Sequence, residues 1–267
     1  MNKKIALCYD FDGTLCAGNM QNQKLIPDCK IDIGKFWSEV IDYSHKNKVD
    51  PTLSYMLILE NKMYEANLEI SREKFINYGK ELKLFPGVND WFKRIKKFGK
   101  EKNVDVEHYI ISSGLTNMIE GCSFFNELNR VYACEYIFKN GRGLWPKLSV
   151  NYSNKVQFLY RIHKGAFEVN DQEGVNEKKY FGDHIHVPFE NMIFFGDGET
   201  DVPTFNVLNK NNGKSICVYD DKNQKSTDIA KKLFSDGRVH HLVKNDYQEK
   251  SGIDVLLKEI IKTKSEN

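Results

Sequence analysis

No stretch of the 267 residues approaches the roughly 18 consecutive apolar positions that a membrane span needs. The first residues place Asp10 and Asp12 where a secretory leader requires its apolar centre. The expectation is therefore a soluble, cytoplasmic protein with no membrane partner. Charge of one sign is also missing: 39 Lys plus Arg against 37 Asp plus Glu leave a net +2. Such a balance supplies no field that would hold nucleic acid or anionic lipid by bulk attraction, so no nucleic-acid-binding surface is expected. Only 6 prolines and 18 glycines leave little linker material, and 40% hydrophobic with 12% aromatic residues excludes a largely disordered chain. The six cysteines, Cys8, Cys16, Cys29, Cys122, Cys134 and Cys217, contain no CxxC pair. That spacing suits neither zinc nor a disulfide framework, and free thiols are expected.

What the chain has is length for one to two domains and a recurring pattern. Residues 5–9 are a short apolar run that ends abruptly in Asp10-Phe11-Asp12-Gly13, as a buried strand ends in a turn. Residues 106–111, ending in Ser112-Ser113-Gly114, and 191–195, ending in Gly196-Asp197-Gly198, repeat that pattern. Further strands are predicted at 131–138, 215–219 and 240–243, with a turn at 140–143. Helices are predicted over 33–43, 53–68, 72–82, 88–98, 154–162, 204–208, 227–234 and 247–261. Residues 164–186 carry no readable period and are expected to be irregular or a hairpin excursion. Alternating strands and helices indicate an α/β fold with a mostly parallel sheet covered on both faces. In such folds ligand chemistry lies beyond the C-terminal strand ends. Residues 16–84, long charged and aromatic stretches with helical spacing, then form a second small domain beside that crevice, placed to cover it.

Asp10 and Asp12 lie two positions apart, and adjacent carboxylates repel unless a cation or a shared proton balances them. An isolated pair of this kind is equally a solvated Asp-Gly turn. A second acidic pair at another strand end, Asp197 and Asp201, favours a site for a hard divalent ion, and oxygen ligands with a substrate phosphate suit Mg2+. A carboxylate in such a site can attack phosphorus while a neighbouring carboxylic acid protonates the leaving oxygen. Ser112 is placed to hold a phosphoryl oxygen near a helix N-terminus, or is a simple helix cap. Lys155, near a helix start, is placed to neutralise the phosphate, with Lys147 as a nearby competitor. His163, His184 and His186 invite a metal reading, but no Cys or acidic spacing completes a zinc set, and they read as surface or loop histidines. His240 and His241 read as structural.

The ordered series Asp10-Phe11-Asp12-Gly13-Thr14-Leu15, Ile111-Ser112-Ser113-Gly114, Lys155 and Gly196-Asp197-Gly198-Glu199-Thr200-Asp201 resembles the haloacid dehalogenase (HAD) superfamily, specifically its phosphoserine phosphatase-like phosphatases. The match runs over residues 4 to about 262. It implies a Rossmann-like three-layer core of residues 1–15 and 85–267 with a helical C1-type cap over 16–84. It further implies that Asp10 is a nucleophile forming an aspartyl-phosphate, that Asp12 is the general acid and base, and that Ser112 and Lys155 bind the phosphoryl group. The metal set it implies is Asp10, the backbone carbonyl of Asp12, and Asp197, with Asp201 in support. An aspartate at position 12 favours phosphatases over the dehalogenase branch, and the stretch does not begin Asp-Lys as in ion-pumping ATPases. Thr200 stands where many phosphoserine phosphatase relatives have Asn, which weakens any transfer of an amino-acid substrate. Arg72 and Glu65 are the only cap residues the sequence suggests as contacts for such a substrate, and helical charges are more often solvated. The implied activity is Mg2+-dependent hydrolysis of a small-molecule phosphomonoester. A phosphotransferase using the same intermediate, or a non-catalytic regulatory protein of the same fold, are the alternatives.

Overall fold

The computed structural model describes residues 3–177 and 185–266. Strand β1 (Lys3–Tyr9) is followed by five helices, α1 (Met20–Gln23), α2 (Leu25–Asp28), α3 (Ile33–Asn47), α4 (Pro51–Glu65) and α5 (Arg72–Lys80). Then come α6 (Val88–Glu101), β2 (Val104–Leu115), α7 (Thr116–Glu120), β3 (Arg130–Lys139), β4 (Arg142–Leu148), α8 (Lys155–Lys164) and α9 (Gln172–Asn176). The chain ends through β5 (Met192–Gly196), α10 (Val202–Lys210), β6 (Lys214–Tyr219), α11 (Gln224–Ser235), β7 (His241–Lys244) and α12 (Gly252–Glu266).

Among the described residues the strands form one seven-stranded sheet in the order β4-β3-β2-β1-β5-β6-β7, parallel throughout except for β4, and flanked by helices. β1 sits at the centre, and Ile5 to Tyr9 are completely buried, as expected of a strand covered on both faces. The order of strands reverses direction beside β1, and this places a crevice at its C-terminal end.

The inserted helices have identifiable starts. Asp32 accepts the Lys35 amide at the head of α3, Asp50 accepts the Thr52 and Leu53 amides with Pro51 in the first turn of α4, and Ser71 accepts the Lys74 amide at α5. The segment leaves and rejoins the core at one place, where the Phe85 amide donates to Leu15 O and Cys16 bridges Leu84. α6 buries Val88, Trp91, Phe92, Ile95 and Gly99, the spacing of a single helical face.

Several elements differ from the sequence reading, among them the short helices α1, α2 and α7, which no predicted helix covers. β4 was not foreseen and makes an antiparallel edge hairpin with β3 around Asn140 and Gly141, both in the left-handed region. β2 continues to Leu115, with a register break against β3 between Ile111 and Leu115, so Ser112 to Gly114 lie inside the irregular end of a strand. α12 begins at Gly252 rather than 247, because the Tyr247 amide donates to Pro86 O and its hydroxyl to Thr14 O. Within 164–186 the short helix α9 is found, and residues 178–184 lie outside the described residues.

Candidate active site

Parallel register decides what meets at the crevice. Tyr9 is level with Phe195 on one side and Ile110 on the other, so Asp10, Asp197 and Ser112 emerge from three adjacent strand ends. The Asp10 amide donates to Phe195 O at 2.8 Å and ties two of those ends together. Its carboxylate accepts the Phe11 amide at 2.7 Å and the Lys155 ammonium at 2.7 Å. Lys155, the first residue of α8 and only 1% exposed, donates equally to Asp201 Oδ1 at 2.7 Å. Asp201 also accepts the Asp197 amide at 3.1 Å. Flanked by two carboxylates, the ammonium keeps its proton more firmly than an ordinary lysine despite burial.

Asp10, Asp197 and Asp201 each bring a carboxylate oxygen within 4.8 Å of the others. Among the described residues no hydrogen bond or ion pair reaches the Asp197 carboxylate, and burial beside Asp201 and Asp10 pushes its pKa well up. Three converging carboxylates with a single lysine leave negative charge uncompensated. An all-oxygen donor set of this kind fits a hard divalent cation.

Gly13 makes the cluster possible. Its φ is +74°, and a Cβ there would lie 2.0 Å from Asp197 Oδ2. The Asp12 carboxylate is not one of the trio; its Oδ1 accepts the Met20 amide at 2.8 Å. Burial, and then the neighbouring Asp10, raise its pKa to about 8. Ser112 is fully buried and its Oγ accepts the Gly114 amide at 3.1 Å; α7 begins four residues later, so Ser112 is not a helix cap. Asp10, Asp12, Ser112 and Asp197 line one cavity of about 440 Å3.

Other candidates fall elsewhere. Lys147 is exposed on β4 and pairs with Glu135. Arg72 pairs with Glu120, Glu65 pairs with Lys62, and neither lines the cavity. His163 donates from Nδ1 to Val187 O and stacks on Phe189, His186 lies 2.7 Å from Glu107, and His184 lies outside the described residues. His240 is engaged by Ser215. The six thiols are free and buried. Sequence reasoning missed Gln21, Trp37 and Tyr55, which line the cavity from the inserted helices. Aromatic residues at helical spacing carry the same signal as ordinary core positions, so nothing in the sequence marks them.

No family model matches this chain. It is 30% identical over 273 residues to an uncharacterized protein of Borreliella burgdorferi, covering 91% of both chains. Among solved structures it is similar to a HAD family hydrolase from Salmonella enterica serovar Typhi, with a TM-score of 0.60, 17% identity and coverage of 95% of this chain and 69% of that one. It is also similar to a phosphoserine phosphatase in apo form (TM-score 0.60, 16% identity, 96% and 98% coverage). A probable phosphoserine phosphatase from Vibrio cholerae gives a TM-score of 0.61 at 14% identity, with 99% and 67% coverage. The chain thus belongs to one family with the Borreliella burgdorferi protein, and its architecture is the HAD hydrolase fold with a helical cap inserted after the first strand.

Proposed function

We propose that the protein is a Mg2+-dependent phosphatase that hydrolyses a small phosphomonoester through an aspartyl-phosphate on Asp10. The observation that carries this reading is the convergence of Asp10, Asp197 and Asp201 within 4.8 Å, with Lys155 buried between two of them. Residues 16–84 act as the cap and the remainder as the core.

Asp10, Asp197 and the backbone carbonyl of Asp12, supported by Asp201, would hold the magnesium ion, whose charge offsets these carboxylates and the phosphoryl oxygens. A carboxylate oxygen of Asp10 attacks phosphorus, and the bond from phosphorus to the ester oxygen breaks. Asp12, kept protonated near neutral pH by burial and by Asp10, gives its proton to that oxygen. The resulting Asp12 carboxylate then takes a proton from water, which attacks the phosphorus of the acyl phosphate and frees inorganic phosphate and Asp10. Ser112 and the Lys155 ammonium hold the phosphoryl oxygens during both halves. The cap keeps bulk water from the intermediate.

The test is phosphate release from a panel of small esters, with and without magnesium, in wild type and Asp10→Asn. Magnesium-dependent turnover is expected, with a loss on the order of a thousandfold or more in the variant, since in this reading Asp10 is the group that carries the phosphoryl. Turnover that survives Asp10→Asn would overturn the reading.

A further inference from the structure

The cavity that Asp10 and Asp197 line is acidic. Among the described residues its lining contains no Lys or Arg, and the nearby Lys155 is 1% exposed and held by Asp10 and Asp201. Glu199 lines the mouth, exposed and in no ion pair among the described residues. A leaving group carrying a carboxylate would face Glu199 with no basic side chain among the described lining residues to balance it, which selects against such esters.

Gln21, Trp37 and Tyr55 are the buried or aromatic cap residues of the wall, which Gly18 and Asn19 complete. Gln21 is 2% exposed, and its Oε1 is a buried acceptor without a hydrogen-bond partner among the described residues. Buried acceptors of this kind are rare unless a ligand or water supplies the donor. Trp37 and Tyr55 lie with ring centroids 6.0 Å apart, tilted by 55°. The Trp37 indole donates to Asn22 Oδ1 at 2.8 Å, and the Tyr55 hydroxyl donates to Ser113 O at 2.8 Å. Their polar atoms are thus committed, and what they lend the wall is their rings. Aromatic rings, a carbonyl oxygen awaiting a donor and an unpaired carboxylate are together the requirements of an organic ammonium that bears N–H. A cavity of about 440 Å3, which must also admit the phosphoryl group, is at the small end for ligand sites.

We infer that Gln21, Trp37, Tyr55 and Glu199 form a subsite for a primary ammonium, and that the substrates are phosphate monoesters of small amino alcohols. This rests on the phosphatase reading above. Gln21 takes an N–H of the ammonium, the two rings flank it, and Glu199 balances its charge.

The experiment compares kcat/KM of the full-length, magnesium-loaded protein on ethanolamine phosphate, choline phosphate, glycerol phosphate, serine phosphate and p-nitrophenyl phosphate. Ethanolamine phosphate is expected to exceed glycerol phosphate by tenfold or more. Gln21→Met should lower that ratio at least fivefold, mainly through KM, and Trp37→Leu should lower it as well, with circular dichroism showing that each variant is folded. The wild-type ratio needs no variant and stands even if one fails to fold. Glycerol or serine phosphate matching ethanolamine phosphate would overturn the inference while leaving the phosphatase reading intact. So would choline phosphate matching it, because a quaternary ammonium has no N–H for Gln21. No turnover of any of the five esters would overturn the phosphatase reading itself.

Discussion

A single methyl group at position 13 would disturb the site more than most larger changes. Gly13 holds a φ of +74°, and its missing Cβ leaves the space into which Asp197 Oδ2 fits. Gly13→Ala is expected to cost about 1–2 kcal/mol for the left-handed backbone and, under the proposed phosphatase function, to raise the magnesium concentration needed for turnover by displacing Asp197. Urea unfolding and a magnesium titration of activity check both effects, and an unshifted magnesium requirement would contradict the placement of Asp197. At this scale the motif residues were legible because short spacings, Asp-x-Asp after one strand and Gly-Asp-x-x-x-Asp after another, leave them nowhere to go but the strand ends. Lys155 was separable from Lys147 only by the order of elements, and the structure puts one at the buried head of α8 and the other on an exposed edge. Gln21, Trp37 and Tyr55 acquire their place only when the inserted helices fold back over the core, an event that local pattern does not encode.

Elements were legible where they were long or fully buried. The central strands and α3 to α6 came through because burial on both faces, or on one helical face, writes a clear period. β4 did not, because Gly143 and Pro146 weaken any strand signal and an edge position tolerates both. That unforeseen hairpin braces the cap: Tyr136 on β3 donates to Met56 O of α4 at 2.5 Å, and Arg142 on β4 pairs with the buried Glu60 of α4. Arg142 also lies over the Tyr64 ring at 4.1 Å. Tyr136→Phe removes one of these ties and leaves a helical carbonyl with one partner fewer. It should destabilise the protein by about 1 kcal/mol, read by urea denaturation, and hasten proteolytic cleavage within α4. Unchanged cleavage would show that the hairpin does not restrain the cap.

The molecule as a whole carries a pH limit set outside the candidate site. His108 is fully buried: its Nδ1 lies 3.2 Å from the Tyr9 hydroxyl, which accepts the Trp91 indole N–H at 2.9 Å, and its Nε2 lies 3.1 Å from Phe92 O. A neutral ring donating from Nε2 satisfies every member of that chain. Burial, and then the charge of Lys96, lower its pKa from 6.5 to about 3. Above pH 6.5 both folded and unfolded states hold it neutral. As pH falls from 6.5 toward 3 only the unfolded state gains a proton, so stability declines, by about 2 kcal/mol at pH 5. Urea midpoints at pH 7 and pH 5 should differ more in wild type than in His108→Gln, and equal differences would rule this residue out as the source. The six buried thiols add a second global property. Burial raises their pKa values, to about 11 for Cys29 and Cys134 and about 12 for Cys122. Alkylating reagents at pH 8 should therefore leave the native protein unlabelled and mark each cysteine only when its own surroundings open. Because Cys29 follows α2 in the cap while Cys8 and Cys217 sit in β1 and β6, the order in which iodoacetamide adducts accumulate is a clock written into the chain, timing the opening of cap against core without any foreign probe.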